Sequence, residues 1–195
     1  LVVRRFGRWK LTAALLIMVP LWVSYLMRVF AWRIILGERG ILNGILTSLG
    51  ILDKESEAFL YSKGTVTLTL TYIVIPYVFL AAYTSLERIP ESLYEASADC
   101  GGGPLRTFWH IIWPLSRPGV AIGFAIGFVL AFGDYISPAM VGGMEGTMLG
   151  SIIIQQFGIA NNWPFGAAIG VSIMLSALLF LSVVSLFSRT EARFD

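Results

Sequence analysis

Two residue types that build disulfides and metal sites are almost missing from this sequence. Its 195 residues include one cysteine, Cys100, and one histidine, His110. A single cysteine excludes an intramolecular disulfide framework, and a single histidine excludes most zinc-binding patterns. The phosphate-binding patterns GxxxxGKS and GxxxxGKT occur nowhere in the chain. The chain therefore carries no P-loop and is not itself the ATPase of any system it belongs to.

Charged residues are also scarce. They form 13% of the chain, whereas about a quarter of an average soluble domain is charged. Hydrophobic residues form 56% of the chain, and the mean hydropathy is +0.77. The net charge of only +2 gives no argument for binding a nucleic acid. This composition predicts an all-α membrane protein, because helices satisfy their own backbone hydrogen bonds within lipid.

Stretches with few or no charges divide the chain into four predicted transmembrane helices. A helix needs about 20 apolar residues to cross a bilayer. The predicted spans cover approximately residues 11–35, 64–86, 118–141 and 165–187. Another apolar segment, at about 147–159, is too short and contains Gln155 and Gln156, so we expect it to be re-entrant or interfacial. One transmembrane domain is thus predicted for residues 1–195.

Three local patterns refine the predicted helices. The run TVTLTLTY at Thr65–Tyr72 alternates as a strand would, but an open sheet edge is excluded in lipid. We therefore expect a helix whose threonines face neighbouring helices. Pro20 and Pro76 are expected to kink their helices. The spacing Gly119–Gly123–Gly127 predicts close packing against another helix.

A polar segment, Glu91–Pro114, separates two apolar stretches. Pro90 suits the first turn of a short helix, and glycines at 101–103 are expected to end that helix, since glycine adopts left-handed conformations readily. Pro104 is expected to open a second short helix that runs to Pro114. Two short helices that meet at a glycine corner predict a docking element for a partner protein.

The residues of this segment carry a family resemblance. EASADCG at Glu95–Gly101, followed by Ile111 and Pro114, resembles the EAA loop of ABC-importer permeases, although Ser97 and Trp113 replace the usual alanine and leucine. An ordinary amphipathic loop would also carry an apolar stripe. The resemblance implies a helix bundle of the type I ABC importer permease kind, with a coupling loop at 87–117. The coupling residues that it implies are Glu95, Ala96, Ser97, Gly101 and Pro114.

The same resemblance implies partners and a mechanism. A second homologous permease, identical or different, would complete the pathway, and two cytoplasmic ATPases would hold ATP and Mg²⁺, with no cofactor in this chain. A periplasmic or lipid-anchored solute-binding protein would deliver the solute. Such permeases usually have six spans and residue 1 is Leu, so we expect two further spans before it. A secondary-transporter fragment and a membrane enzyme are rival classes, although no catalytic residue is identified.

Basic residues at the ends of the predicted spans set the orientation. Lysine and arginine favour cytoplasmic loops, and they concentrate in both flanks of the chain and in the loop 87–117. We therefore expect Lys10 and Arg189 on the cytoplasmic side of a bacterial inner membrane and Lys54 outside. A signal peptide is the alternative for the N-terminus, but its apolar run contains Pro20 and Arg28 and lacks a small-residue cleavage site.

Four further patterns resemble the spermidine/putrescine branch of these permeases. They are PLWVSYLMRVFAW at Pro20–Trp32, RGILN at Arg39–Asn43, GDYISPAMVGG at Gly133–Gly143 and NNWPFGAA at Asn161–Ala168. Carboxylates and aromatic faces suit a polyamine's ammonium groups, and an acid within a membrane span is a functional candidate. The candidate pathway residues are Trp22, Tyr25, Trp32, Asp134, Tyr135 and Trp163. Related branches carry iron or aminoethylphosphonate.

Each pathway candidate has a structural alternative. Tryptophan and tyrosine near the ends of spans are typical of the interfacial aromatic belt. Asp134 is the one acid in an otherwise apolar predicted span, and an ion pair with Arg28 or Arg33 would make it a structural residue instead.

Overall fold

The computed structural model describes residues 10–51 and 59–189, and the regular secondary structure of these ranges is helical. Lys54 lies outside them. A 3-10 turn, Val19–Trp22, follows the first helix, and a π-helical turn, Pro138–Gly142, lies between the sixth and the seventh. The helices are α1 Lys10–Met18, α2 Tyr25–Leu36, α3 Ile41–Ser48, α4 Lys63–Glu87, α5 Glu91–Asp99, α6 Pro104–Phe132, α7 Leu149–Gly158 and α8 Trp163–Arg189.

Three helices in the described ranges, α4, α6 and α8, are long and apolar enough to cross a membrane. Helices α4 and α8 cover the spans predicted at 64–86 and 165–187. The first predicted span is not one continuous helix, because the chain leaves helical geometry at Val23 and Ser24, just after the proline-containing turn. Proline cannot donate a backbone hydrogen bond, so Pro20 weakens the helix there. A fourth crossing would need the helical pieces on both sides of this break.

Helix α6 differs from the prediction at both ends. It begins at Pro104 and continues through Pro114, where we expected a short helix to stop. A wide π-helical turn at Phe108–Ile112 comes immediately before, and the Trp113 N–H reaches back to the Phe108 carbonyl. Proline lacks an N–H and its ring crowds the carbonyl four residues earlier, so a widened turn lets the helix pass Pro114. At the other end, α6 stops at Phe132 rather than near residue 141.

Helix α7 is too short to cross a bilayer. Its ten residues are about 15 Å long at 1.5 Å per residue, roughly half of the hydrocarbon thickness. This length agrees with the prediction of a re-entrant or interfacial segment at 147–159.

The chain forms two compact units. The described part of the first contains residues 10–19, 75–128 and 178–189, and that of the second contains residues 20–51, 59–74 and 129–177. In the first unit, α4 and α6 approach closely at the glycines of α6. A methyl group on Gly119 would lie 2.9 Å from the Ala81 carbonyl oxygen, and one on Gly123 would lie 3.1 Å from Val78 Cα. The predicted close packing is confirmed for these two glycines.

The second unit has a small hydrophobic core. Val29 and Val141 are fully buried in it, and the side chains that form it are Val29, Leu36, Leu60, Val66, Ile73 and Val141. The turn from α2 to α3 is tight. The buried Asn43 donates its side-chain N–H to the Gly37 carbonyl at 2.8 Å, and a methyl group on Gly40 would lie 2.5 Å from the Ile35 carbonyl oxygen. These contacts explain the RGILN pattern structurally.

The alternating threonines lie in a helix, as predicted, but only half of them face inward. Thr65 and Thr69 are buried. Thr67 and Thr71 are exposed, and their hydroxyls donate to carbonyls of their own helix, at Lys63 (2.9 Å) and Thr67 (2.7 Å). The expectation that all of them face neighbours was wrong, because residues two apart point to nearly opposite sides of a helix.

The close approach of α4 and α6 makes a prediction about stability. Replacing glycine by alanine inside an exposed helix gains about 1 kcal/mol, and nothing lies within 4 Å of a methyl group placed on Gly170 in α8. Gly170→Ala should therefore be neutral or stabilising. Gly119→Ala should destabilise the protein by about 1–3 kcal/mol through overpacking. Thermal unfolding of the purified protein in detergent measures both, and equal stability of the two variants would contradict this packing.

Candidate functional site

The glycine corner after α5 has a defined hydrogen-bond pattern. Gly101 adopts φ +71°, and its N–H donates to the Ala98 carbonyl at 2.9 Å. The Gly102 N–H donates to the Ser97 carbonyl at 2.8 Å. This pair of bonds is a Schellman motif, which ends a helix by satisfying its last carbonyls. The prediction that glycine ends the first short helix is confirmed at Gly101.

A side-chain clasp closes the same corner. The hydroxyl oxygens of Ser97 and Thr107 are 2.7 Å apart, so a hydrogen bond joins the last turn of α5 to the first turn of α6. A methyl group on Gly102 would lie 2.7 Å from the Ser97 carbonyl oxygen, which leaves room there for glycine alone. We define the coupling corner as Glu91–Thr107. Its two helices are held in a fixed relation by backbone and side-chain bonds together.

The coupling corner brings together four of the five predicted coupling residues. Glu95 and Ala96 are exposed on α5, Ser97 is half-buried in the clasp, and Gly101 forms the turn. Pro114 lies apart from them, half-buried within α6. The polar and small side chains of α5 thus form an accessible surface, and Ser97 has a structural reason to differ from the usual alanine.

Asp134 lies just beyond the end of α6 and starts the next helical turn. Its carboxylate Oδ1 accepts N–H bonds from Ile136 (2.9 Å) and Ser137 (3.4 Å), the geometry of a helix N-cap. Asp134 is 8% exposed, and its Oδ2 has no hydrogen-bond partner among the described residues. One oxygen therefore stabilises the backbone, and the other is buried without a hydrogen-bond partner in the part of the chain that the structure describes.

Tyr25 contacts the turn that Asp134 caps, and Arg28 in turn contacts Tyr25. The Tyr25 hydroxyl oxygen is 3.0 Å from the Ser137 hydroxyl oxygen. The Arg28 guanidinium carbon lies 5.8 Å from the centroid of the Tyr25 ring. Arg28 is buried, and its Nε and Nη1 have no partner in the described part of the chain. Arg33, the other arginine considered for Asp134, is exposed.

The remaining aromatic candidates do not join this cluster. Trp32 packs edge-on against Tyr72, with ring centroids 5.5 Å apart, and belongs to the margin of the hydrophobic core. Trp22 is 83% exposed. Trp163 is exposed, and its indole N–H donates to the Asn161 side-chain oxygen at 2.9 Å. Tyr135 is exposed and borders a cavity.

That cavity has a volume of about 350 Å³. Its polar lining is uncharged and consists of Tyr135, Thr147, Ser151 and Gln155, and Pro138, Ala139, Gly143 and Ile154 complete the wall. Hydroxyl and amide groups both donate and accept hydrogen bonds, so this wall suits a polar solute without selecting its charge.

The pattern GDYISPAMVGG is explained largely by backbone demands in the second unit. Asp134 caps the turn, and Gly143 adopts φ +57°. A methyl group on Gly143 would lie 2.7 Å from Tyr61 Cβ, and one on Gly142 would lie 2.8 Å from a Val66 methyl group. Both glycines therefore let the turn pack against the start of α4.

Comparison with known families decides the family. The family model for "binding-protein-dependent transport system inner membrane component" matches residues 3–192. This chain belongs to that family. Members of it are membrane permeases, in agreement with the apolar helices described above.

Several curated permeases are similar to this chain in sequence. The spermidine/putrescine transport system permease protein PotB of Haemophilus influenzae is 32% identical over 168 residues, which are 85% of this chain and 58% of that protein. PotB of Escherichia coli K12 is 33% identical over 89% of this chain and 63% of its own length. The Escherichia coli inner membrane ABC transporter permease protein YdcU is 33% identical over 95% of this chain and 62% of its own length. This chain thus spans about three fifths of these relatives.

Solved structures show the same fold. A chain of a bacterial ABC transporter that imports the acidic polysaccharide alginate superposes with a TM-score of 0.73 at 13% identity, over 93% of this chain and 66% of that one. A chain of the MetNI methionine ABC transporter gives a TM-score of 0.67 at 17% identity, over 97% and 77%. At these identities the likeness concerns the fold, which is that of a type I ABC importer permease.

Sequence reasoning missed part of the polar cluster in this permease. Ser137 was not singled out, because its contact with Tyr25 joins residues that are 112 positions apart in the chain. Thr69, which the sequence predicted to face a neighbouring helix, is fully buried, and its hydroxyl has no hydrogen-bond partner in the described ranges. Among the described residues, no three His, Cys, Asp or Glu side chains are grouped as metal ligands would be.

Proposed function

We propose that this permease is a transmembrane subunit of an ATP-driven importer of polyamines, such as spermidine or putrescine. The coupling corner is the observation that carries the importer assignment: an exposed short helix, with the EAA-like residues, fixed to the start of a long apolar helix. The names of the PotB relatives support the polyamine as cargo. Iron and aminoethylphosphonate are the alternative solutes, and a secondary transporter would need no partner ATPase.

The geometry of the coupling corner suits the transmission of movement. The Ser97–Thr107 hydrogen bond ties α5 to the first turn of α6, and α6 continues as one 29-residue helix. A displacement of α5 by a partner would therefore be passed to α6 rather than absorbed in a flexible loop. Pro114 does not interrupt this path, because the π-helical turn accommodates it.

The partners follow from this arrangement. Two cytoplasmic ATPases would bind ATP and Mg²⁺ and contact the coupling corner, a second permease would complete the pathway, and a solute-binding protein would deliver the cargo. ATP and the delivered cargo must favour different conformations, since a ligand with equal affinity for both conformations does not change the equilibrium between them. The chain's own contribution is the pathway wall and the mechanical link.

Uptake by the assembled transporter tests the proposed cargo. Proteoliposomes that contain both permeases, the ATPases and the binding protein should accumulate radiolabelled spermidine only when ATP is present. Excess putrescine should compete, whereas iron chelates and aminoethylphosphonate should not. Spermidine uptake that needs no ATP would contradict the assignment as an ATP-driven importer. Competition by an iron chelate, without competition by putrescine, would indicate that the cargo is an iron chelate instead of a polyamine.

Glu95 tests the coupling role. Its exposed carboxylate is available to a basic residue of the ATPase, and loss of one partner of a charge pair that is hydrogen-bonded and buried in an interface costs about 2–5 kcal/mol. Glu95→Gln should leave the permease inserted and stable while lowering uptake and ATPase association by about tenfold or more. Glu91→Gln, one turn earlier on the same exposed helix, is the matched control and should stay near wild type. Equal uptake by the two variants would show that Glu95 does not contribute to the interface with the ATPase.

We further propose that both ends and the coupling corner face the cytoplasm, as the basic flanks support. Met144, which is 96% exposed, then lies outside. In a Cys100→Ser background, Met144→Cys should react with a membrane-impermeant maleimide in intact cells. Wild-type Cys100, which is exposed in the coupling corner, should react only after permeabilisation. The reverse labelling pattern would show that the permease has the opposite orientation in the membrane.

A further inference from the structure

Arg28 and Asp134 are opposite charges buried in the same unit. Arg28 is 6% exposed and Asp134 is 8% exposed. Nε and Nη1 of Arg28 and Oδ2 of Asp134 have no hydrogen-bond partner among the described residues. Removing an unpaired ion from water costs several kcal/mol even after the protein relaxes. Such groups require a counter-charge in at least one state of the protein.

Tyr25 contacts both Arg28 and the turn that Asp134 caps. The guanidinium carbon of Arg28 lies 5.8 Å from the centroid of the Tyr25 ring, within the range of a cation–π contact. The Tyr25 hydroxyl meets the Ser137 hydroxyl at 3.0 Å, and the Ser137 N–H donates to Asp134 Oδ1 at 3.4 Å. The arginine therefore rests on an aromatic face, separated by a short polar chain from the carboxylate that would neutralise it.

We propose that Arg28 is a specificity-determining residue that competes with the cargo for Asp134. The guanidinium has two positions. On the Tyr25 ring, as in this structure, it leaves Asp134 Oδ2 open to an ammonium group of the cargo; when no cargo holds that oxygen, the guanidinium moves to pair with it. This inference rests on the proposed function, because the competitor of an arginine must be a cation. A neutral or anionic solute leaves Asp134 uncompensated and cannot replace Arg28.

The chemistry of arginine suits this role. The guanidinium group of arginine stays charged at every physiological pH and stacks on aromatic rings. It cannot lower the cost of burial by losing a proton, so it needs either the carboxylate of Asp134 or the ring of Tyr25 as a partner. Its long flexible side chain can reach either. Return of Arg28 to Asp134 would also help to release the cargo, because the carboxylate does not have to be left unpaired when the ammonium group departs.

A double-mutant cycle tests the pair without relying on the identity of the cargo. Arg28→Gln, Asp134→Asn and the double variant are compared with wild type by thermal unfolding of the assembled, cargo-free complex. Each single variant should be less stable than wild type because it leaves one buried charge unpaired. The double variant should recover stability, and this coupling should shrink when spermidine-loaded binding protein is added.

Transport kinetics test the competition. Arg28→Gln should lower both the KM and the maximal rate of spermidine uptake by about fivefold or more, since cargo binds Asp134 without a rival and leaves slowly. Arg28→Lys, which keeps a cation, should lie between wild type and Arg28→Gln. Arg33→Gln removes an exposed arginine from the same helix and is the matched control, with both parameters near wild type.

Several results would overturn the proposal. They are kinetics of Arg28→Gln that match those of Arg33→Gln, a double variant no more stable than the single ones, and coupling that is unchanged by spermidine-loaded binding protein in a complex that transports spermidine. If the wild-type complex takes up no spermidine, the proposed function fails. The double-mutant cycle of the cargo-free complex then decides whether Arg28 and Asp134 form a pair. Stability effects that depend on each other support the pair, and additive effects overturn it.

Discussion

The requirement that every backbone N–H and carbonyl within a membrane be satisfied shapes this permease more than any other interaction. An unpaired group in hydrocarbon costs several kcal/mol, so each place where a helix stops needs a substitute partner. Asp134 caps the turn after α6, Asn43 bonds the Gly37 carbonyl between α2 and α3, and the Schellman motif at Gly101 ends α5. Each of these three contacts stands where a helix ends.

The membrane requirement does not account for the bonds of the coupling corner, because this corner is largely exposed. A loop exposed to solvent could leave its carbonyls to water, yet the corner uses both glycine-dependent bonds and the Ser97–Thr107 clasp. The extra bonds fix the direction of α5 relative to the start of α6. Rigidity of this kind is what a lever between a nucleotide-driven partner and a transmembrane helix requires, since a flexible link would dissipate the displacement.

The sequence was sufficient for features that depend on local conformation. Glycine at the end of α5, glycine spacing in α6 and the insufficient length of α7 could each be recognised within a short stretch. The sequence was insufficient where the structure depends on a contact between residues that are far apart in the chain. Tyr25 and Ser137 meet although they are 112 residues apart, and no periodicity connects them. The continuation of α6 through Pro114 also escaped prediction, because the π-helical turn that permits it has no reliable sequence signal.

Asp134 shows how structure and chemistry share one side chain. Its Oδ1 is committed to two backbone N–H groups, so the carboxylate cannot swing freely toward a solute, and only Oδ2 is available for a charge. An amide in its place keeps an oxygen for the cap and loses the negative charge, whereas alanine loses both. The cap therefore holds the second oxygen at a fixed position. In the proposed pair, a carboxylate fixed in this way leaves the conformational change to Arg28, whose long side chain can supply it.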